Sequence, residues 1–420
     1  MITAVLAGAG QRGAQVYAEY AVSHPNEMKI VAVAEPDEER RREFAARHRL
    51  HEDQIFADWK DLFAAGKLAD CAMICTQDRF HTEPVKEALK LGYHVMCEKP
   101  MSPDAKDCIE MGKYAEEYHK TLTICHVLRY SPFFTKLKEI LDTEVIGEIV
   151  SIQHIECVGY WHQAHSFVRG NWRNSDTTSP MILQKSCHDM DILNWLIGKP
   201  CISISSFGSL KHFKAENAPK GAGTRCLSDC KIEDSCPYSA AKIYCRDEEW
   251  YSDTIRKVVA LKGTQEAVTQ ALQTGPYGRC VYRCDNNVVD HQVVNLEFED
   301  GVTVSFTMCA FTYEGSRTMN IMGTKGQILC DMEKNIIEVK DFLTGDKTKT
   351  TVKVGNSGHS GSDEKFMKGF IKTVETDGAF TLSGAQVSVN SHLMALAAEE
   401  SRITGKTIHM EDFRKKAELS

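Results

Sequence analysis

The first thirty-five residues constrain this chain more than any other stretch. An apolar run from Thr3 to Ala7 leads into Gly8-Ala9-Gly10-Gln11-Arg12-Gly13, and an apolar-periodic segment follows through Tyr20. Strand, glycine turn and helix in that order leave few folds open. The turn needs one glycine to bend sharply, a second whose bare backbone lets a pyrophosphate approach, and a third where the helix packs on the strand. A second strand, Lys29 to Ala34, ends in Glu35. An acid about 20 residues beyond the glycine turn accepts hydrogen bonds from an adenosine ribose and repels a 2′-phosphate, so the expected cofactor is NAD rather than NADP. Gly8, Gly10, Gln11, Arg12, Gly13 and Glu35 are the first candidates for holding it.

Alternating elements continue. A strand from Ala69 to Cys75 precedes the loop Thr76 to His81, a helix from Glu83 to Leu91 stopped by Gly92, and a strand from Tyr93 to Cys97. After Glu98-Lys99-Pro100, Ser102 is the expected cap of a helix that Pro103 opens and that runs to about Tyr118; Thr121 to Cys125 reads as a further strand. This is a parallel sheet with crossover helices, a dinucleotide-binding domain over residues 1–125. Ligands of such sheets lie beyond the carboxyl ends of the strands, which adds Thr76, His81, Glu98 and Lys99 to the cofactor side. Lys99 directly follows a buried strand and is held by Pro100. From there a lysine can polarise a hydroxyl and stabilise the negative charge that develops on oxygen when hydride leaves carbon.

From residue 126 the pattern changes. Ser131-Pro132 begins a helix through Leu141, Ile149 to Val158 is strand-like, and His188 to Trp195 reads as a helix ended by Gly198. Val289 to Glu299 and Val302 to Phe311 alternate around Asp300-Gly301, a hairpin signal. Strands near Thr318 to Met322, Gly326 to Asp331, Ile336 to Val339 and Thr350 to Val354 complete a mostly antiparallel sheet. The fold class is α/β plus α+β: a Rossmann domain, then a substrate-binding and oligomerisation domain over 126–400, with 401–420 as a C-terminal extension. An antiparallel sheet with one free face suits a homo-oligomer, a dimer or tetramer.

Composition narrows the function. With 420 residues, 42% hydrophobic and 26% charged, the chain can bury two ordinary cores. A net charge of −8 without basic blocks gives no footprint for nucleic acid or an anionic membrane. The N-terminus lacks a basic lead-in and an apolar span, so a cytoplasmic location is expected. Of 16 cysteines, Cys71, Cys75, Cys97, Cys125 and Cys309 lie in apolar stretches as small core residues. A cysteine-rich insertion covers about 211–287. Its Cys226, Cys230, Cys236 and Cys245 follow spacings of four, six and nine, unlike the paired short knuckles of zinc sites. Free thiols, with no metal, are the expectation, and a structural metal on those four is the alternative.

The motifs Gly8-Ala9-Gly10-Gln11-Arg12-Gly13, Ala34-Glu35-Pro36, Glu98-Lys99-Pro100 and Lys185-Ser186-Cys187-His188-Asp189-Met190-Asp191-Ile192-Leu193 resemble the Gfo/Idh/MocA oxidoreductases in order and spacing, over about residues 1–400. The resemblance implies an NAD(P) domain, an open-sheet second domain, and Lys99 with His188 as the catalytic pair. One departure matters. Many members of that family carry an aspartate four residues before the histidine, where this chain has Gln184, which orients a hydroxyl but takes no proton. His188 is then the better base, with Lys99 and Lys185 electrostatic. Gln184, Lys185 and Asp189 are expected at the substrate. So are His162, His165, Arg169 and Trp172 from the preceding loop, whose aromatic faces can stack on a sugar while polar groups read hydroxyls. Asn171 and Arg173 lie in the same loop; His126, Arg129 and Tyr130 follow the last Rossmann strand. The loop before the helix that ends near Thr376 adds His359 and Asp363, the latter also a possible helix cap. The expected activity is NAD-dependent oxidation of a secondary hydroxyl on a sugar, glycoside or cyclitol. The alternative is an NAD-retaining, redox-neutral glycoside hydrolase acting through transient C3 oxidation and elimination.

Overall fold

The computed structural model of the chain describes residues 1–246, 252–355 and 358–419, the side chains of 252–254 and 358–360 excepted. The N-terminal sheet is built from β1 (Ile2–Ala7), β2 (Met28–Ala34), β3 (Ile55–Phe56), β4 (Cys71–Ile74), β5 (His94–Cys97) and β6 (Leu122–Ile124). Their order is β3-β2-β1-β4-β5-β6, and every pairing is parallel. A parallel sheet is covered on both faces, which is why β4 and β5 are buried at every position. The helix after the glycine turn runs as Gln11–Ala18, with wide π-type turns, and Glu19–Ser23. Asp104, not Ser102, caps the helix Ala105–Glu117: its carboxylate accepts from the Lys106 amide at 2.8 Å. The Ser102 hydroxyl instead accepts from the Asp104 amide at 3.1 Å, because an ionised acid two residues on is the stronger acceptor for the helix end.

The second sheet has nine strands: β7 (Ile149–Cys157), β8 (Cys201–Ser209), β9 (His291–Phe298), β10 (Thr303–Cys309), β11 (Ser316–Gly323), β12 (Gly326–Asp331), β13 (Ile336–Asp341), β14 (Lys347–Thr351) and β15 (Ile408–His409). The order is β14-β13-β12-β11-β7-β10-β9-β8-β15, antiparallel except for β7 against β10. The hairpin between β9 and β10 turns at Asp300 and Gly301, with φ 58° and 75°. Along β7, Ile152, His154 and Glu156 are buried while Gln153 and Ile155 face out, so one face is covered and the other open. The helices Cys187–Ile197 and Ala385–Thr404 cover the inner side.

Three boundaries differ from the expectation. β14 begins at Lys347, not Thr350, because its Lys-Thr alternation has no apolar period and its register is set by pairing Thr351 with Ile336. β8 exposes Ile202 and Phe207 and buries Ile204, with its register shifted between Cys201 and Ser203, so no period marked it. Residues 401–420 are no appendage: Ile408 pairs with Ile204 to add the ninth strand, and the helix Met410–Leu419 buries Phe413 and Ala417. No helix among the described residues is long and apolar enough to cross a membrane.

A buried ion pair joins the two halves. Arg129, in the turn after β6, donates from Nε to Asp191 Oδ2 at 2.7 Å and from Nη2 to Oδ1 at 2.8 Å, with 3% and 1% of the side chains exposed. A planar fork on a carboxylate fixes the angle as well as the distance between the elements. Removing one partner strands the other charge in the core. Arg129→Leu should therefore lower stability by about 3–5 kcal/mol, read as a fall in the urea midpoint; a shift under about 0.5 kcal/mol would show the pair to be dispensable.

Candidate active site

The three turn glycines have separate physical roles. Gly8 sits at φ +95°, and a Cβ there would meet Cys75 O at 2.5 Å. A Cβ on Gly13 would meet Gly8 O at 2.2 Å, the close packing of helix on strand. Around Gly10 nothing lies within 4 Å, so its bare backbone faces open space where a pyrophosphate fits. Glu35, 6% exposed, accepts from the Ala9 amide at 2.7 Å through Oε2 and from the Asp37 amide at 3.0 Å through Oε1. It staples the glycine turn to the end of β2, at the edge where a ribose would lie.

Arg12 turns inward. Its Nε donates to Glu98 Oε1 at 2.8 Å and its Nη2 to Asp363 Oδ1 at 2.8 Å, while Tyr17 donates to the same Glu98 oxygen at 2.8 Å. Burial alone would raise the Glu98 carboxyl, but the charges of Arg12 and Lys99 and these hydrogen bonds bring it below its ordinary value. Burial pushes the Tyr17 phenol well up, so it stays a donor. Asp363 is therefore no helix cap: it lies inside the helix Gly358–Glu375 and answers Arg12. Gln11 begins its helix at the exposed rim. His81, 1% exposed, faces Pro100 O at 2.8 Å and Thr76 O at 2.9 Å, and so ties the loops after β4 and β5 together. Thr76 donates to Phe80 O at 3.1 Å.

Lys99 donates to the backbone oxygen of Gln184 at 2.8 Å and lies 5.6 Å from the Trp172 ring centroid. Trp172 continues a wall: Phe167 is 5.8 Å from it, His162 is 5.6 Å from Phe167, and Trp161 stacks on His162 at 5.3 Å. Burial, with the charges of Lys185 and Lys99 beside it, holds His162 well below the ordinary imidazole value, so the wall is uncharged there. His188 sits in the first turn of the helix Cys187–Ile197, 7% exposed, with its ring 5.8 Å from that of His126. His126 is fully buried, its ring nitrogens make no hydrogen bond among the described residues, its Nε2 lies 3.8 Å from Asp191 Oδ1, and burial with the charges of Arg129 and Lys99 holds it well below the ordinary imidazole value. Lys99, Gln184, Trp172, His162 and His188 are thus brought to one region.

Sequence reasoning missed Asp78. This carboxylate, 5% exposed, accepts hydrogen bonds from the Gln184 amide and the Ser179 hydroxyl, and from the Arg79 amide at 3.0 Å. An acid in the loop Thr76 to His81, beyond a parallel strand, was the available signal.

Other expected contacts go elsewhere. His165 stacks on Tyr277 at 4.9 Å, accepts or donates at 3.0 Å with Tyr244 OH, and is pushed down to about 3 by burial and then Arg169. Arg169 is fully buried and donates to Arg279 O at 2.8 Å and Tyr238 O at 2.6 Å. Both pack against the insertion, through Tyr244 and Tyr277 for His165 and Tyr238 and Arg279 for Arg169. Tyr130 packs edge-on against Phe366 at 5.1 Å. Lys185 pairs with buried Glu156 at 3.2 Å, and Asp189 accepts from His154 at 2.7 Å and Arg317 at 2.8 Å, so both are engaged with residues of the sheet. The side chain of His359 lies outside the described residues. Cys245 stands by Thr269 at 3.9 Å, apart from Cys226, Cys230 and Cys236. Among the described residues no three His, Cys, Asp or Glu side chains stand close enough to hold a metal ion as they are.

Two outcomes follow. Gly10→Ala should leave the thermal midpoint unchanged and weaken NAD at least about tenfold by calorimetric titration; unchanged affinity would move the pyrophosphate elsewhere. Asp189 is drawn down to about 2 by Arg317 and His154 against the opposing effect of burial. A carboxyl depressed on folding stabilises fully above its ordinary value near 4 and ceases to do so as pH falls towards 2. The stability gap between wild type and Asp189→Asn should then shrink by about 2 kcal/mol from pH 5 to pH 2. A constant gap would show that the ion pair carries no pH-dependent stability.

Residues 2–126 match the model of the oxidoreductase family with an NAD-binding Rossmann fold, and residues 138–410 match its C-terminal alpha/beta domain. The chain is 28% identical over 210 residues to 2,7-anhydro-N-acetylneuraminate hydratase of Escherichia coli (strain K12), covering 50% of this chain and 53% of that one. It is 25% identical over 198 residues to inositol 2-dehydrogenase of Corynebacterium glutamicum (strain R), covering 47% and 54%. The chain spans about half the length of these curated relatives. The fold superposes on levoglucosan dehydrogenase in complex with NADH and levoglucosan at TM-score 0.71 and 15% identity, over 97% of this chain and 99% of that one. With both domain models matched across most of its length, the chain belongs to the Gfo/Idh/MocA oxidoreductase family.

Proposed function

We propose that this protein oxidises a secondary hydroxyl of a sugar, glycoside or cyclitol with NAD. The observation that carries the reading is Lys99: its ammonium is fixed on the Gln184 carbonyl and against Trp172, beyond β5 and beside the helix that opens with His188. Bound NAD supplies the hydride acceptor at nicotinamide C4. Gly8, Gly10, Gly13 and Glu35 would hold that cofactor, with Arg12 shaping the turn through Glu98 and Asp363. Lys99 stabilises negative charge on the reacting oxygen. His188 takes the hydroxyl proton. Burial and the neighbouring cations hold His126 and His162 well below the ordinary imidazole value, so neither ring adds a positive charge beside Lys99. Trp172 and Trp161, with buried Phe167 packed against Trp172, offer flat apolar faces for the C–H side of a ring, while Gln184, oriented by Asp78, reads a hydroxyl. The open sheet face is where a second copy would dock.

A second reading is favoured by the buried carboxylate Asp78 on Gln184 and by the relative named as a hydratase. In it the cofactor stays bound, and a glycoside is cleaved with no net change in redox state.

Purified protein with NAD, tested on free sugars, cyclitols and aryl glycosides, separates the two. Accumulating NADH is the expected result; aglycone release without NADH would replace the dehydrogenase reading with the redox-neutral one. Lys99→Ala and His188→Ala should each lower kcat at least about tenfold. Near-normal turnover in folded variants would remove that residue from the mechanism.

A further inference from the structure

The insertion contains a convergence of thiols that the oxidoreductase reaction does not use. Cys226, Cys230, Cys236 and Cys280 line one small enclosed space of about 10 Å³, the room of a single water or ion, together with Arg169, Glu233 and Tyr238. None of the four is in a disulfide. The backbone brings the distant one in: Cys226 N donates to Gly278 O at 3.0 Å and Cys280 N to Thr224 O at 2.9 Å, a short antiparallel bridge through Arg225 and Arg279. Asp229 closes the turn between Cys226 and Cys230 by accepting from the Thr224 and Arg225 amides, each at 2.8 Å. Cys236 N donates to Ile232 O at 3.1 Å, which forms the next turn.

Arg169 is the independent sign. Its side chain is fully buried, and no described carboxylate pairs with it. One terminal nitrogen donates to Tyr238 O at 2.6 Å and to Cys226 Sγ at 3.6 Å; the other, Nη1, has no hydrogen-bond partner among the described residues. A buried guanidinium without a counter-ion is costly. Four neutral thiols do not answer it. Four thiolates on a divalent ion carry net charge −2 and do.

We propose that Cys226, Cys230, Cys236 and Cys280 bind one zinc ion as a tetrathiolate, with Arg169 as its buried counter-charge. Zinc displaces four thiol protons into solvent and no electron moves. The thiols stand apart as they are, and a cysteine sulfur sweeps roughly 3 Å between staggered rotamers, the movement by which they close. The site is structural. It clamps the insertion onto the segment 160–173, whose opposite side carries His162 and Trp172.

The test uses the full chain purified under reducing conditions, with its metals measured by mass spectrometry and zinc release followed as a mercurial titrates the thiols. About one zinc per chain is expected, released as thiols are consumed. Cys280→Ser should lose it and Cys245→Ser retain it. Should Cys280→Ser be insoluble, cobalt-substituted wild type must show an intense thiolate-to-cobalt charge-transfer band, unchanged in Cys245→Ser. The proposal is overturned by wild type that holds no zinc even after incubation with it, by zinc retained in Cys280→Ser or lost in Cys245→Ser, by cobalt bound without that band, by iron with inorganic sulfide, or by disulfides among the four in reduced protein.

Discussion

The Arg12 guanidinium joins three elements that the chain brings from far apart. It leaves the glycine turn, meets Glu98 beyond β5, and reaches Asp363 in the helix Gly358–Glu375. Glu98 immediately precedes Lys99, so the position of the lysine backbone depends on a carboxylate fixed from the cofactor loop. Two largely buried acids around one half-buried cation depend on their donors, and Tyr17 supplies a further hydrogen bond to Glu98. The same contact therefore sets the shape of the dinucleotide cradle and the placement of the ammonium. A change at Asp363 is felt at both, although it lies over 350 residues from Arg12 along the chain.

A second buried network holds the other wall. Arg317 on β11 reaches Glu156 on β7 and Asp189 at the start of the His188 helix, with Lys185 and His154 completing it. Burial raises Glu156 while Arg317 and His154 draw Asp189 down, so the two acids respond differently to the same cation. Burial also lowers Lys185 below its ordinary value. The network spends its charges on one another and fixes the helix that presents His188. Lys185 is held within it by Glu156 at 3.2 Å, whereas Lys99 is held by the Gln184 carbonyl at 2.8 Å.

Much of this was legible in the sequence where local physics decides. The glycine turn, the parallel strands, the cap at Ser131 and the hairpin at Asp300-Gly301 are short-range signals, and each formed. What a side chain faces was less legible. Gln184 was visible as an unusual residue, but its partner Asp78 comes from 106 positions away and no spacing rule connects them. Tyr130, His165 and Arg169 have the right chemistry for a sugar site and point into packed cores instead. Glu35 and Asp363 were recognised as acids in important places, while the donors that hold them, Ala9, Asp37 and Arg12, follow only from tertiary contact. Strand β8 escaped because exposed Ile202 and Phe207 and buried Ile204 follow no two-residue period.

The segment 160–173 shows why the insertion matters to a site it does not enter. His162 and Trp172 face the wall near Lys99, whereas His165 and Arg169 are locked among Tyr238, Tyr244 and Tyr277. One short helical stretch thus has two masters. Its cofactor-side residues can hold position only if the other side is anchored, because π-type and 3₁₀ turns have weaker internal hydrogen bonding than a long α-helix. The anchor is Arg169, whose backbone-oxygen partners Tyr238 and Arg279 both belong to the insertion. Loosening those partners would let Trp172 drift from Lys99 without touching any residue that contacts a substrate. The cysteine-rich insertion is in this sense part of the geometry that places Trp172 beside Lys99.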